Sequence, residues 1–129
     1  MISLSKKIEY GIVLIKYLSK KADKPVSLSD VAARMKLPYR FLSQIGISLK
    51  NGGLVISKEG KTGGYILSKD WQKYNLYDLI VILGEEKHLV DCLGNHSCPR
   101  EDECQMKKVW LKIEDKIVKE FKKFKLKEL

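Results

Sequence analysis

The sequence predicts a mainly α-helical fold that carries one small β-hairpin and ends in a long helix. Three observations predict it. Apolar residues recur at three- and four-residue spacing in five segments, the mark of helices with one buried face. Between the third and fourth of these, two β-prone runs flank the turn-rich loop KEGKTGG. A final lysine-rich stretch keeps an apolar stripe almost to the end of the chain.

Residues 4–21 read as the first helix, with Ile8, Ile12, Ile15 and Leu18 on one face. Ser5 is its N-cap and Asp23-Lys24-Pro25 its stop. Ser27-Leu28-Ser29-Asp30 fits a capping box opening a short second helix with Leu28, Val31, Ala32 and Met35 apolar. Leu37-Pro38 breaks that helix, and Pro38 opens a third at about 38–50. There Phe41, Leu42, Ile45 and Leu49 make the buried stripe, opposite Arg40, Ser43, Gln44 and Ile47. Gly46 costs roughly 1 kcal/mol in mid-helix relative to Ala, and close approach of the second helix would account for it. Residues 54–57 and 65–67 complete the hairpin. Two helices joined by a short turn and followed by a hairpin make a winged helix-turn-helix, assigned to residues 1–70.

Residues 71–90 hold a connecting helix, capped at Asn75-Leu76-Tyr77-Asp78 and running to about Glu86. Residues 91–104 form a polar loop. Within residues 105–129 a long helix, about 105–125, lines up Val109, Trp110, Ile113, Ile117, Phe121 and Phe124. A chain of 129 residues is too small to cover that stripe alone, so a dimerisation helix and a homodimer are expected.

The formal charge of +9 is unevenly spread. Residues 1–70 carry 13 basic against 5 acidic side chains, and residues 71–104 carry 3 against 7. The first half therefore has the electrostatics of a polyanion binder, with a double-stranded DNA operator as the expected partner. In a major groove, Arg40 would pair with guanine and Gln44 with adenine, while Tyr39 and Ser43 would reach phosphate or base. Lys61 at the wing tip, with Lys58 and Lys50, would neutralise phosphates. The apolar run near the start is short and broken by Lys16, so no membrane segment is expected and the chain reads as cytoplasmic. No nucleophile–base pair, phosphate loop or paired-carboxylate pattern stands out, so no enzymatic activity is expected.

The loop DCLGNHSCPREDEC holds the chain's three cysteines, Cys92, Cys98 and Cys104. A disulfide would leave one thiol over, and reactive thiols are disfavoured by Asp91, Glu101, Asp102 and Glu103. Inert structural cysteines would sit among apolar neighbours, which these lack. Metal or iron–sulfur ligation asks for several thiolates on one adaptable loop; the spacing matches no zinc finger, though zinc stays open.

The chain resembles the Rrf-type family of bacterial winged-helix regulators, in its IscR-like and NsrR-like branches. The resemblance rests on Tyr10, PVSLSDVAARMKLPYRFLSQI, GLV at 53–55, the wing GKTGGYILS and the C-x5-C-x5-C loop, and runs nearly end to end. It implies a homodimer joined by the C-terminal helices. It implies also a [2Fe-2S] or [4Fe-4S] cluster on Cys92, Cys98 and Cys104 that sets DNA affinity in response to redox state, nitric oxide or iron. Where IscR-like members place a ligating histidine, this chain has Lys107. Glu9 in the first helix, donated across the dimer, or His96 in the loop are the favoured fourth ligands, ahead of Asp91 and His88. The expected function is a transcriptional regulator, most simply a repressor. One alternative is the same regulator without a cluster, controlled by a partner protein. A second is a small iron–sulfur electron-transfer protein.

Overall fold

Side-chain caps set where most of the helices begin. In the computed structural model, which describes residues 3–21, 23–61, 63–94 and 98–129, the Ser5 hydroxyl accepts from the Ile8 N–H at 3.4 Å and starts α1, Lys6–Lys20. The Ser27 hydroxyl accepts from the Asp30 N–H at 3.2 Å, so the Ser27 half of the expected box opens α2, Leu28–Met35. Lys36 then makes a left-handed turn, and Pro38 precedes α3, Tyr39–Asn51. At the fourth helix the box is complete: Asn75 Oδ1 accepts from the Asp78 N–H, and Asp78 Oδ2 accepts from the Asn75 N–H at 2.8 Å.

The hairpin pairs β1, Val55–Lys58, antiparallel with β2, Gly64–Leu67, with Val55 opposite Leu67 and Lys58 opposite Gly64. An isolated bridge joins it from the other side. Val26 and Tyr65 exchange backbone hydrogen bonds of 3.0 and 2.8 Å, which tie the wing to the linker ahead of α2. The sequence prediction of a mainly α-helical winged helix-turn-helix with a long C-terminal helix therefore holds.

The core gathers one face from each of the first four helices and the start of the wing. Leu42, Ile45 and Leu49 of α3 are completely buried, together with Leu14, Leu18, Val31 and Leu54. Fully burying such a side chain stabilises by roughly 1.5–3 kcal/mol, which is why the three- and four-residue spacing alone fixes α3's orientation. Gly46 has the expected reason and a further one. A Cβ there would lie 3.0 Å from Leu28 Cδ1 and 3.3 Å from the Tyr65 ring, so α2 and the wing both close on α3. Phe41 sits edge-on to Tyr10 at 5.5 Å between ring centres, joining α3 to α1.

Two features differ from the sequence expectation. The fourth helix, α4, spans Leu76–Ile82 and stops four residues short of Glu86. Gly84, at φ +69°, donates to the Val81 carbonyl while Glu85 donates to Ile80, the paired bonds that end a helix at a left-handed glycine. The last helix, α5, spans Met106–Lys123, and the chain then turns back. Leu76 donates to the Phe124 carbonyl at 2.9 Å and Leu126 to Tyr74 at 3.0 Å, which buries Leu126 in the core at 3% exposure. The end of α5 is thus anchored beside the start of α4.

Along α5 the apolar stripe divides. Trp110, Ile117 and Phe121 are half-buried, whereas Val109, Ile113 and Phe124 are exposed, as is Met106. No described residue of α5 is fully buried. Among the described residues, no helix is long and apolar enough to cross a membrane.

Candidate nucleic-acid interface and cysteine loop

With its apolar stripe turned inward, α3 must show its other face to solvent. Tyr39, Arg40, Gln44 and Lys50 are exposed and Ser43 is half-buried, so the predicted face exists as one surface. Lys58 closes β1 and Lys61 stands exposed in the turn beyond it. From Tyr39 to Lys61 there are four basic residues and one acidic one, Glu59. None of the seven predicted DNA-contacting side chains takes part in an ion pair or side-chain hydrogen bond among the described residues. That matters chemically. Lysines paired to carboxylates, such as Lys119 with Asp115 on α5, offer phosphate little net charge, whereas these remain available.

The cysteine segment is built differently. Cys92 lies in a short 3-10 turn, Asp91–Leu93, and Cys104 stands two residues before α5. All three thiols are free and half-buried. Lys107, in the first turn of α5, pairs with Glu101 within the loop. The hydrogen bond and charge of Glu101 raise the Lys107 ammonium above its usual range, with smaller contributions from the neighbouring Cys92 and Cys104. The same contact lowers the Glu101 carboxyl. Lys107 is therefore committed to Glu101 within the loop.

Among the described residues, no three His, Cys, Asp or Glu side chains are grouped closely enough to hold a metal ion. Glu9 is exposed and bonded to Lys6 Nζ at 2.9 Å. His96 lies outside the described residues. His88 instead faces α5, with Nδ1 2.7 Å from Glu114 Oε1, while Glu114 Oε2 accepts from the Leu89 N–H at 3.2 Å. Glu114 is the residue that sequence reasoning missed. Its partners lie 25 and 26 positions away, and no local pattern reports how a loop folds back. A second missed link is Tyr74, whose hydroxyl donates to the Gly52 carbonyl at 3.2 Å and joins the connecting segment to the end of α3.

An α3 seated on a buried core, an exposed basic face and a hairpin wing define a winged helix-turn-helix DNA-binding protein. A family model described as Rrf2, iron-dependent transcriptional regulator, matches residues 4–129, and the chain belongs to that family. It is 30% identical over 105 residues to the HTH-type transcriptional regulator IscR of Photorhabdus laumondii, covering 81% of this chain and 64% of that protein. The chain thus spans a little under two thirds of that relative. Among solved structures it is similar to CymR, the global cysteine regulator of B. subtilis. That match has a TM-score of 0.75 at 28% identity, over 99% of this chain and 95% of CymR. T. potens IscR matches at a TM-score of 0.72 and 28% identity, over 98% of this chain and 85% of that one. The chain is a DNA-binding transcriptional regulator and not an enzyme.

Proposed function

We propose that the chain is a homodimeric, cytoplasmic regulator whose cysteine loop holds an iron–sulfur cluster and thereby sets its affinity for a DNA operator. The observation that carries this is the placement of three free thiols on the one loop that links α4 to the exposed stripe of α5. The donor set fits a cluster in kind: Cys92, Cys98 and Cys104 supply soft thiolate ligands, with Glu9 or His96 as the fourth. Such a cluster would supply a centre sensitive to redox state, nitric oxide or iron supply. The remaining steps belong to the protein. To share one site the three cysteines must close on one another, which draws Asp91–Leu93 toward the start of α5. His88 and Leu89 already tie the segment after α4 to Glu114, so closure of the loop loads the joint between α4 and α5. In the dimer, the angle of α5 sets the separation of the two α3 helices, which must match half-sites about one helical turn apart. Arg40 and Gln44 read bases, Tyr39 and Ser43 reach base or phosphate, and Lys50, Lys58 and Lys61 neutralise the backbone.

A second reading keeps the DNA interface and drops the cluster, with control by a partner protein or a cysteine-related signal. The likeness to CymR and the ungrouped thiols favour it. Anaerobic purification with iron and sulfide counts separates the two. The cluster reading expects visible charge-transfer absorption, lost in Cys92→Ser, Cys98→Ser and Cys104→Ser, and a different operator affinity for loaded and apo protein at matched salt. Colourless protein after anaerobic iron and sulfide reconstitution would establish the second reading instead.

A further inference from the structure

We infer that Ile47 is a base-reading residue that recognises the 5-methyl group of a thymine in the operator. The inference rests on the proposed seating of α3 in the major groove. Ile47 is 54% exposed on α3 and stands outside the apolar side chains packed with the core. It completes the series Arg40, Ser43, Gln44, Ile47 at steps of three, four and seven residues, one face of a helix. Recognition helices use that spacing to bring several side chains to successive base edges.

Nothing local favours an isoleucine there. A β-branched side chain loses rotamer freedom in a helix, and one more than half exposed recovers little burial in exchange. A protein partner is a poorer match for it than DNA. An apolar docking patch needs neighbouring apolar surface, yet the other large exposed apolar residue of α3, Tyr39, lies about 12 Å away along the axis. Arg40, Gln44 and Lys50 share α3 with Ile47, and α3 contains no acidic residue. An apolar side chain inside a polar, basic rim is complementary to the major-groove edge of A·T pairs, where the thymine methyl is the apolar feature among donors and acceptors. Arg40 and Gln44 would then specify guanine and adenine, and Ile47 would add a thymine beyond them.

The test uses the full chain and duplexes selected by it from a random pool. Each thymine of the selected site is replaced in turn by deoxyuridine, which removes only the methyl group. At one position per recognition helix the wild-type chain should lose about four-fold in affinity, the worth of one methyl-sized contact. Ile47→Ser should bind the thymine and deoxyuridine duplexes equally at that position while keeping the wild-type salt dependence, because no phosphate contact is removed. Its melting temperature reports that the exposed substitution leaves the fold intact. Equal binding of every deoxyuridine duplex by the wild type, or an unchanged deoxyuridine penalty in Ile47→Ser, overturns the inference while the DNA reading stands. Failure of the wild type to select any sequence overturns both.

Discussion

The DNA-facing half and the cysteine half of this chain are held by different forces. In α3 the stripe Leu42, Ile45 and Leu49 is completely buried, and Phe41 adds an aromatic contact to Tyr10. From Asp91 to Lys123 no described residue is buried; Phe121 packs against the edge of the core, and polar contacts such as Lys107 with Glu101 and Glu114 with His88 add to it. Exposed ion pairs contribute far less than a buried leucine, because water screens them. The lesson is a division of labour. One half presents a fixed surface to its target, and the other is weakly determined, as the proposed cluster and dimer would require.

The sharpest way to break that contrast is to cut apolar side chains from each half. Leu42→Ala should destabilise the protein by about 2–5 kcal/mol, read as a lower denaturation midpoint, because it opens a cavity at a site with no exposure. Ile113→Ala, on the exposed side of α5, should leave the unfolding of dilute protein nearly unchanged. In the proposed dimer it should instead weaken self-association about ten-fold or more, measured by sedimentation, since an apolar side chain buried there contributes roughly 1.5–3 kcal/mol. Equal effects of the two substitutions on the dilute chain would remove the distinction between the halves.

Within the DNA-facing half the predictions are finer. Arg40→Ala should cost about 1–3 kcal/mol of binding to the selected operator and relax specificity at the base pair it reads. Lys61→Ala should weaken binding almost equally on all sequences and reduce the salt slope by about one counterion. Titrations in a series of salt concentrations distinguish the two patterns, and an exchange of behaviours between Arg40 and Lys61 would mean that the wing reads bases.

How much of this was legible in the sequence follows the same division. Periodicity located the five α-helices, and with them the polar face of α3, because burial against a core enforces a local pattern that a single strand of text preserves. The three cysteines were equally plain, since their spacing is local. The stop at Gly84 was written in the sequence too, but the apolar run from Leu79 to Leu83 carried the expected helix past one glycine to Glu86. What was not legible is what joins distant segments: the return of Leu126 to the core, the Glu114 bridge to His88 and Leu89, and the Tyr74 hydroxyl on Gly52. Each pairs residues far apart in sequence, and none carries a spacing that would announce it. The charge partner of Lys107, Glu101, lies only six residues away, but a loop has no fixed period that would announce the pairing.

The smallest expected effect tests whether the segment after α4 is fixed before it reaches the cysteines. Tyr77 on α4 donates its hydroxyl to Glu86 Oε1 at 2.5 Å, and that hydrogen bond, with some burial and the charges of Glu86 and Glu114, pushes its pKa up to about 12. A phenol whose folded pKa lies above its unfolded value near 10 lends stability that is intact below pH 10 and lost as the pH rises toward 12. Ultraviolet titration should therefore show one tyrosine ionising about two units later than a free phenol, and Tyr77→Phe or Glu86→Gln should abolish that late step. Because the pair is mostly exposed, neither substitution should move the melting temperature much near neutral pH. If the late step is present, the chain from α4 to Glu86 is held in place and the weakly determined region begins beyond it. If all tyrosines titrate together, the loose half extends back to the end of α4, and closure of the cysteine loop would have to order that segment as well before it could move α5.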